Sequence, residues 1–140
     1  MIESTKRNKQ ITGNAGLYYC CYRLSDMGFN VMATSRNARG VDIIIYDEGA
    51  KNYCGIQVKT LSERNAVPLG KSLDTIMGDF WIIVVLKPLK SYIMTPKEVR
   101  SGAYDGKKDG KECWLEKKHF ELPDFEEKWN RIGLGKGQAQ

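Results

Sequence analysis

The chain has 140 residues, of which 41% are hydrophobic and 28% charged, the size and make-up of one folded domain; a disordered polar chain is excluded. The formal net charge of +5 suits a polyanionic partner without demanding one. Four cysteines lack any C-x-x-C pair, no long apolar span or signal segment is evident, and the lone histidine is far from most of them. These features exclude a zinc nucleus and lead us to expect no membrane association and a cytoplasmic protein with free thiols.

In chain order, residues 1–11 form a polar N-terminal arm carrying Lys6, Arg7 and Lys9. From Thr12, the residues Leu17, Cys20, Cys21, Leu24 and Gly28 fall at helical spacing. Thr12 or Asn14 suits the cap and Gly28 the stop. Phe29–Thr34 alternates as a strand does. It leads into Ser35–Gly40, where Arg36, Asn37 and Arg39 precede an acidic residue. Guanidinium forks match phosphate geometry, so this loop is a candidate nucleic-acid contact; a solvated turn is the alternative.

The region with most chemical content is Arg39–Thr60. Asp42 opens the apolar run Ile43–Tyr46, a Gly-containing polar segment follows, and Tyr53–Lys59 is a second run, together predicting an antiparallel hairpin. Folding it about Ala50 and Lys51 sets Asp42 opposite Lys59, with Gln57 and Lys59 on one face. A hard cation takes oxygen ligands, and Asp42, Gln57 and the Val58 carbonyl offer three, with Lys59 beside them to hold a water or a developing phosphorane charge. The alternative is an ordinary hairpin whose polar ends are solvated.

Residues 60–71 follow neither period and predict a loop overhanging the hairpin end, with Lys71 as a phosphate contact and Glu63 either a water-mediated support or simply exposed. Phe80–Leu86 predicts a central strand buried on both faces, and Ser91–Met94 returns beside it. Thr95, Pro96 and Glu98 predict a capped helix start. Asp105–Lys111 predicts a charged turn, Cys113–Leu115 an edge strand, and Pro123–Trp129 a short helix in which Phe125 packs on Trp129. His119 has no motif partner, and a structural role is expected for it. Residues 12–132 make up the domain and 133–140 a glycine-rich disordered tail.

Gly40-Val41-Asp42, fourteen residues, then Gln57-Val58-Lys59 resembles the signature of the PD-(D/E)XK nuclease superfamily, in particular Mrr-like restriction nucleases with Gln before X-Lys. The resemblance implies a restriction-endonuclease-like α/β fold, a three-layer sandwich with a mixed β-sheet flanked by helices. It further implies Mg2+-dependent (or Mn2+-dependent) hydrolysis of DNA, with Asp42, Gln57 and Lys59 catalytic and Asp42, Gln57 and Val58 holding the metal. Cutting both strands with one site per chain implies a dimer or tetramer. Family members carry a Glu early in the first helix, where this chain has Leu17; either one ligand is lacking or Asn14, one turn earlier, approaches the site. Two alternatives stand beside the nuclease: a catalytically degenerate DNA-binding module, and an interaction protein docking through Trp114 and Trp129.

Overall fold

Two apolar runs, Ile43–Ile45 and Phe80–Val85, supply the β-branched and aromatic side chains from which the centre of the molecule is built. The structure, a computed structural model, describes residues 8–35 and 40–134. Its elements are α1 (Lys9–Asp26), β1 (Asn30–Ala33), β2 (Ile43–Tyr46), β3 (Tyr53–Leu61), β4 (Val67–Gly70), β5 (Phe80–Leu86), β6 (Leu89–Met94), α2 (Pro96–Gly102) and β7 (Cys113–Leu115). Five strands form a mixed sheet in the order β1-β2-β3-β5-β6, in which only the β3–β5 pair is parallel; β4 and β7 pair separately.

Strand β5 is buried on both faces, because its alternate residues serve two cores. Phe80, Ile82 and Val84 pack under α1 with Cys20, Leu24, Ile43, Ile45 and Ile56. Trp81, Ile83 and Val85 pack under α2 and the β4–β7 pair with Val99, Leu115 and Phe120. The result is a mixed α/β sandwich of three layers, as expected, with the small sheet sharing the second outer layer with α2.

Helix α1 starts at Lys9, within the stretch assigned to the arm, because Asn8 rather than Thr12 or Asn14 accepts the capping hydrogen bond from Ile11 N. Its fully buried stripe is Thr12, Gly16, Cys20 and Leu24, with Leu17 and Cys21 packed at the margin. Gly16 is where the helix meets β3 most closely: a Cβ there would overlap the Thr60 side chain.

Other expectations need correction. Thr60 and Leu61 extend β3, and Val67–Gly70 is a strand, since β7 offers it a partner: Cys113–Leu115 pairs with β4 and not with the edge of the main sheet. No helix forms over Pro123–Trp129. Its backbone is instead spent on the edge of β6, through Ile93 N to Phe125 O and Glu127 N to Ser91 O, and Glu127 takes φ 53°. Phe125 and Trp129 therefore pack into opposite cores rather than on each other. Trp114 stacks on Tyr104 at 4.3 Å while Trp129 is buried, so the two do not form one docking patch.

Arg131 fastens this C-terminal segment, donating to Ile93 O at 2.7 Å and to both Glu98 oxygens at 2.9 Å. Glu98 also completes the capping box of α2 by accepting from Thr95 N. Burial pushes the Glu98 carboxyl up, but the Arg131 and Thr95 hydrogen bonds together hold it below the usual carboxylate range. A depressed carboxylate stabilises the fold at neutral pH and loses that contribution as pH falls through its folded-state value. Glu98→Gln is accordingly expected to cost about 1–2 kcal/mol in urea unfolding at neutral pH. The difference should shrink toward about pH 3.

Candidate active site

The chemistry gathers where β3 outruns its neighbour. Strand β2 pairs with β3 from Tyr46–Tyr53 to Ile43–Ile56, and β5 takes over from Ile56 to Leu61. Beyond Ile56, the edge of β3 that faced β2 has no strand beside it. Continued by one residue past Ile43–Ile56, this register sets Asp42 against Gln57, two residues away from the expected Lys59. The cause lies in the turn: Asp47 accepts from Lys51 N, Asn52 N and Asn52 Nδ2, and Ala50 takes φ 53°, so the hairpin folds about Gly49 and Ala50.

Asp42 occupies the end of the notch. Its N–H closes the last ladder bond, to Ile56 O at 2.8 Å, and its Oδ2 accepts from Val58 N at 2.7 Å, standing in for the missing strand. Thr34 holds the approach to Asp42 by donating from N to Asp42 O at 2.9 Å and from Oγ1 to Val41 O at 2.6 Å. In extended backbone the N–H and C=O of one residue point to the same edge, so the Val58 carbonyl is directed to the notch as well.

A cavity of about 560 Å3 opens there, walled by Asp42, Val58, Lys59 and Thr60 of the sheet, Ala33–Ser35, and Gln10, Gly13, Asn14, Leu17 and Tyr18 of α1. Lys59 is partly buried, with Nζ 5.8 Å from the centre of the Trp81 ring. Burial lowers its pKa, and the nearby Asp42 charge opposes the shift. The result is a cation held near a carboxylate at the base of a cleft.

Three of the four proposed chemical groups thus meet: Asp42, Val58 and Lys59. Gln57 shares their neighbourhood but is only 6% exposed and does not line the cavity; its Oε1 accepts a long 3.4 Å bond from Met77 N. Lys71 is exposed just after β4 and lies outside the cavity wall, while Arg36, Asn37 and Arg39 lie outside the described residues. Glu63 and His119 are exposed and away from the cavity. Asn14 faces the cleft and is not a helix cap, and Leu17 sits where a helix carboxylate is expected. Gln10 and Tyr18 were not singled out from sequence, although their i, i+4, i+8 spacing with Asn14 marks one helical face.

Asp42 is the one carboxylate on the cavity wall, and among the described residues no three His, Cys, Asp or Glu side chains gather as a metal cluster. The four cysteines are free, and burial followed by the Asp79 carboxylate pushes the Cys54 thiol to about 12, leaving it unreactive.

No family model and no curated protein matches the chain. Among solved structures, it is similar to a bacterial homing endonuclease, I-Ssp6803I, with TM-score 0.52 and 18% identity over 66% of this chain and 68% of that one. Over that span the chain shares the fold of that protein. Fold alone does not assign an activity, so the function must rest on the notch. No helix among the described residues is long and apolar enough to cross a membrane.

The Lys59 environment has a measurable consequence. A lysine whose folded-state pKa is depressed destabilises the fold while protonated, and the penalty fades as pH rises toward the ordinary lysine range. Lys59→Met should therefore raise stability at neutral pH by up to about 1 kcal/mol, and less so at about pH 10, in thermal melts. A loss of stability at neutral pH would contradict this environment.

Proposed function

We propose that the protein is a metal-dependent endonuclease of the PD-(D/E)XK type that hydrolyses phosphodiester bonds in DNA. The observation carrying the proposal is the convergence of Asp42, Val58 and Lys59 on one cavity of a nuclease-type fold. In the reaction a water oxygen joins phosphorus, one P–O ester bond breaks, and the departing oxygen gains a proton. The donor set fits Mg2+ or Mn2+: Mg2+ keeps several of its waters and needs only one or two carboxylates, and Asp42 with the Val58 carbonyl supplies hard oxygen donors. When bound, the ion neutralises phosphate charge and acidifies a water.

The protein's own groups do the positioning. Val58 N–H fixes one Asp42 oxygen and thereby orients the other. Lys59, partly stripped of water, holds the attacking water or the charge developing on the phosphate oxygens. Gln57 joins the donor set by turning its amide from the long Met77 bond toward Asp42. One such cavity acts on one strand at a time, so a double-strand cut involves a second protomer.

Leu17 on the cavity wall favours a second reading, a DNA-binding module that has lost cleavage. Nicking of supercoiled plasmid separates the two. Wild type should nick with Mg2+ or Mn2+ and stop with EDTA, while Asp42→Ala and Lys59→Ala, folded by circular dichroism, should each lose at least about 100-fold in rate. Unchanged nicking in either variant removes that residue from the site; salt-sensitive DNA binding without nicking selects the second reading.

A further inference from the structure

We propose that the cavity face of α1 is a strand seat, in which Gln10 and Asn14 hold the sugar-phosphate backbone and Tyr18 stacks on an unpaired base beside the bond to be cut. The proposal rests on the nuclease reading of the same cavity and adds what it recognises: DNA that is locally unpaired. Gln10, Asn14 and Tyr18 stand one above another on consecutive turns, all three on the cavity wall.

None of the three side chains belongs to the buried stripe of α1. The stripe that anchors α1 is Thr12, Gly16, Cys20 and Leu24, on another face. Tyr18 is 62% exposed, whereas its neighbour Tyr19 is engaged with Trp129 and Arg23. Among the described residues, the amides of Gln10 and Asn14 and the Tyr18 hydroxyl have no hydrogen-bond partner. The cavity thus has a wall of unspent neutral donors opposite the Asp42–Lys59 pair.

That chemistry suits a nucleic-acid strand better than other occupants. Amide N–H groups donate to phosphate oxygens without adding negative charge, and nothing lies within 4 Å of the Gly13 Cβ position, leaving room for a backbone to approach. A tyrosine ring offers a face to any base, and in a duplex that face is reachable only where a base has left the stack. Tyr22, 64% exposed one turn further along, continues the ridge away from the cavity and gives the strand a direction.

The test uses a short duplex carrying one unpaired 2-aminopurine, bound by the full chain in EDTA so that no cleavage intervenes. Wild type and Tyr18→Phe should quench the 2-aminopurine fluorescence on binding and prefer this duplex to a fully paired one. Tyr18→Ala should lose the quench and bind about tenfold more weakly, with an unchanged melting temperature. Gln10→Ala with Asn14→Ala should weaken both duplexes alike. Equal quenching and affinity in Tyr18→Ala, while Asp42→Asn still abolishes Mg2+-dependent nicking, would overturn the strand seat and leave the nuclease reading standing. Failure of wild type both to bind and to nick would overturn both. A drop in oligomer size in Tyr18→Ala with DNA binding intact would make the ridge a subunit contact and likewise overturn the proposal.

Discussion

A nine-residue strand paired on one side with a four-residue strand is the constraint on which this molecule turns. The first half of β3 completes a hairpin with β2, and its second half, facing the other way, joins the buried strand β5 in parallel. The handover at Ile56 leaves one edge of β3 exposed in the middle of a sheet, where unsatisfied backbone groups are costly. Asp42 resolves this by lending a carboxylate oxygen to Val58 N–H. A structural necessity therefore places an acid, a carbonyl and the following lysine at one spot.

The surrounding elements are arranged to keep that spot open yet shielded. Gly16 lets α1 lie close over Thr60, so the helix roofs the notch without filling it. The second core, with Trp81 beneath Lys59, removes water from the ammonium. Burying a cation beside one carboxylate is unfavourable for stability, and such expense concentrates where a group has chemical work. Strand β6 is covered at its outer edge by Phe125–Glu127, so the sheet's opposite border is closed by ordinary backbone pairing and takes no part in the site.

Much of the fold was legible in the residues themselves. The unbroken apolar run of β5 and the Thr95–Glu98 capping box are local signals, and both appear as read. Elements decided by distant partners were not legible: Val67–Gly70 becomes a strand only because β7 reaches it, and Pro123–Trp129 gives up a helix because the edge of β6 needs its carbonyls and amides. The site was legible as a motif but not in its register. Asp47 and Ala50 move the turn by one residue, which shifts every cross-strand partner by two and takes Asp42 away from Lys59. On the α1 wall of the cavity Asn14 and Leu17 were legible through the motif, whereas Gln10 and Tyr18 were not, because they carry no charge and match no motif.

We propose that the notch holds a divalent cation through Asp42. Calorimetric titration of Mg2+ into wild type, Asp42→Asn and Gln57→Glu addresses it without relying on cleavage. Asparagine keeps the shape and can still accept from Val58 N–H, so it removes charge and little else. Saturable binding is expected in wild type, its loss in Asp42→Asn, and tighter binding in Gln57→Glu, where a second carboxylate joins the donor set. Equal Mg2+ affinity in wild type and Asp42→Asn, both folded, would contradict it.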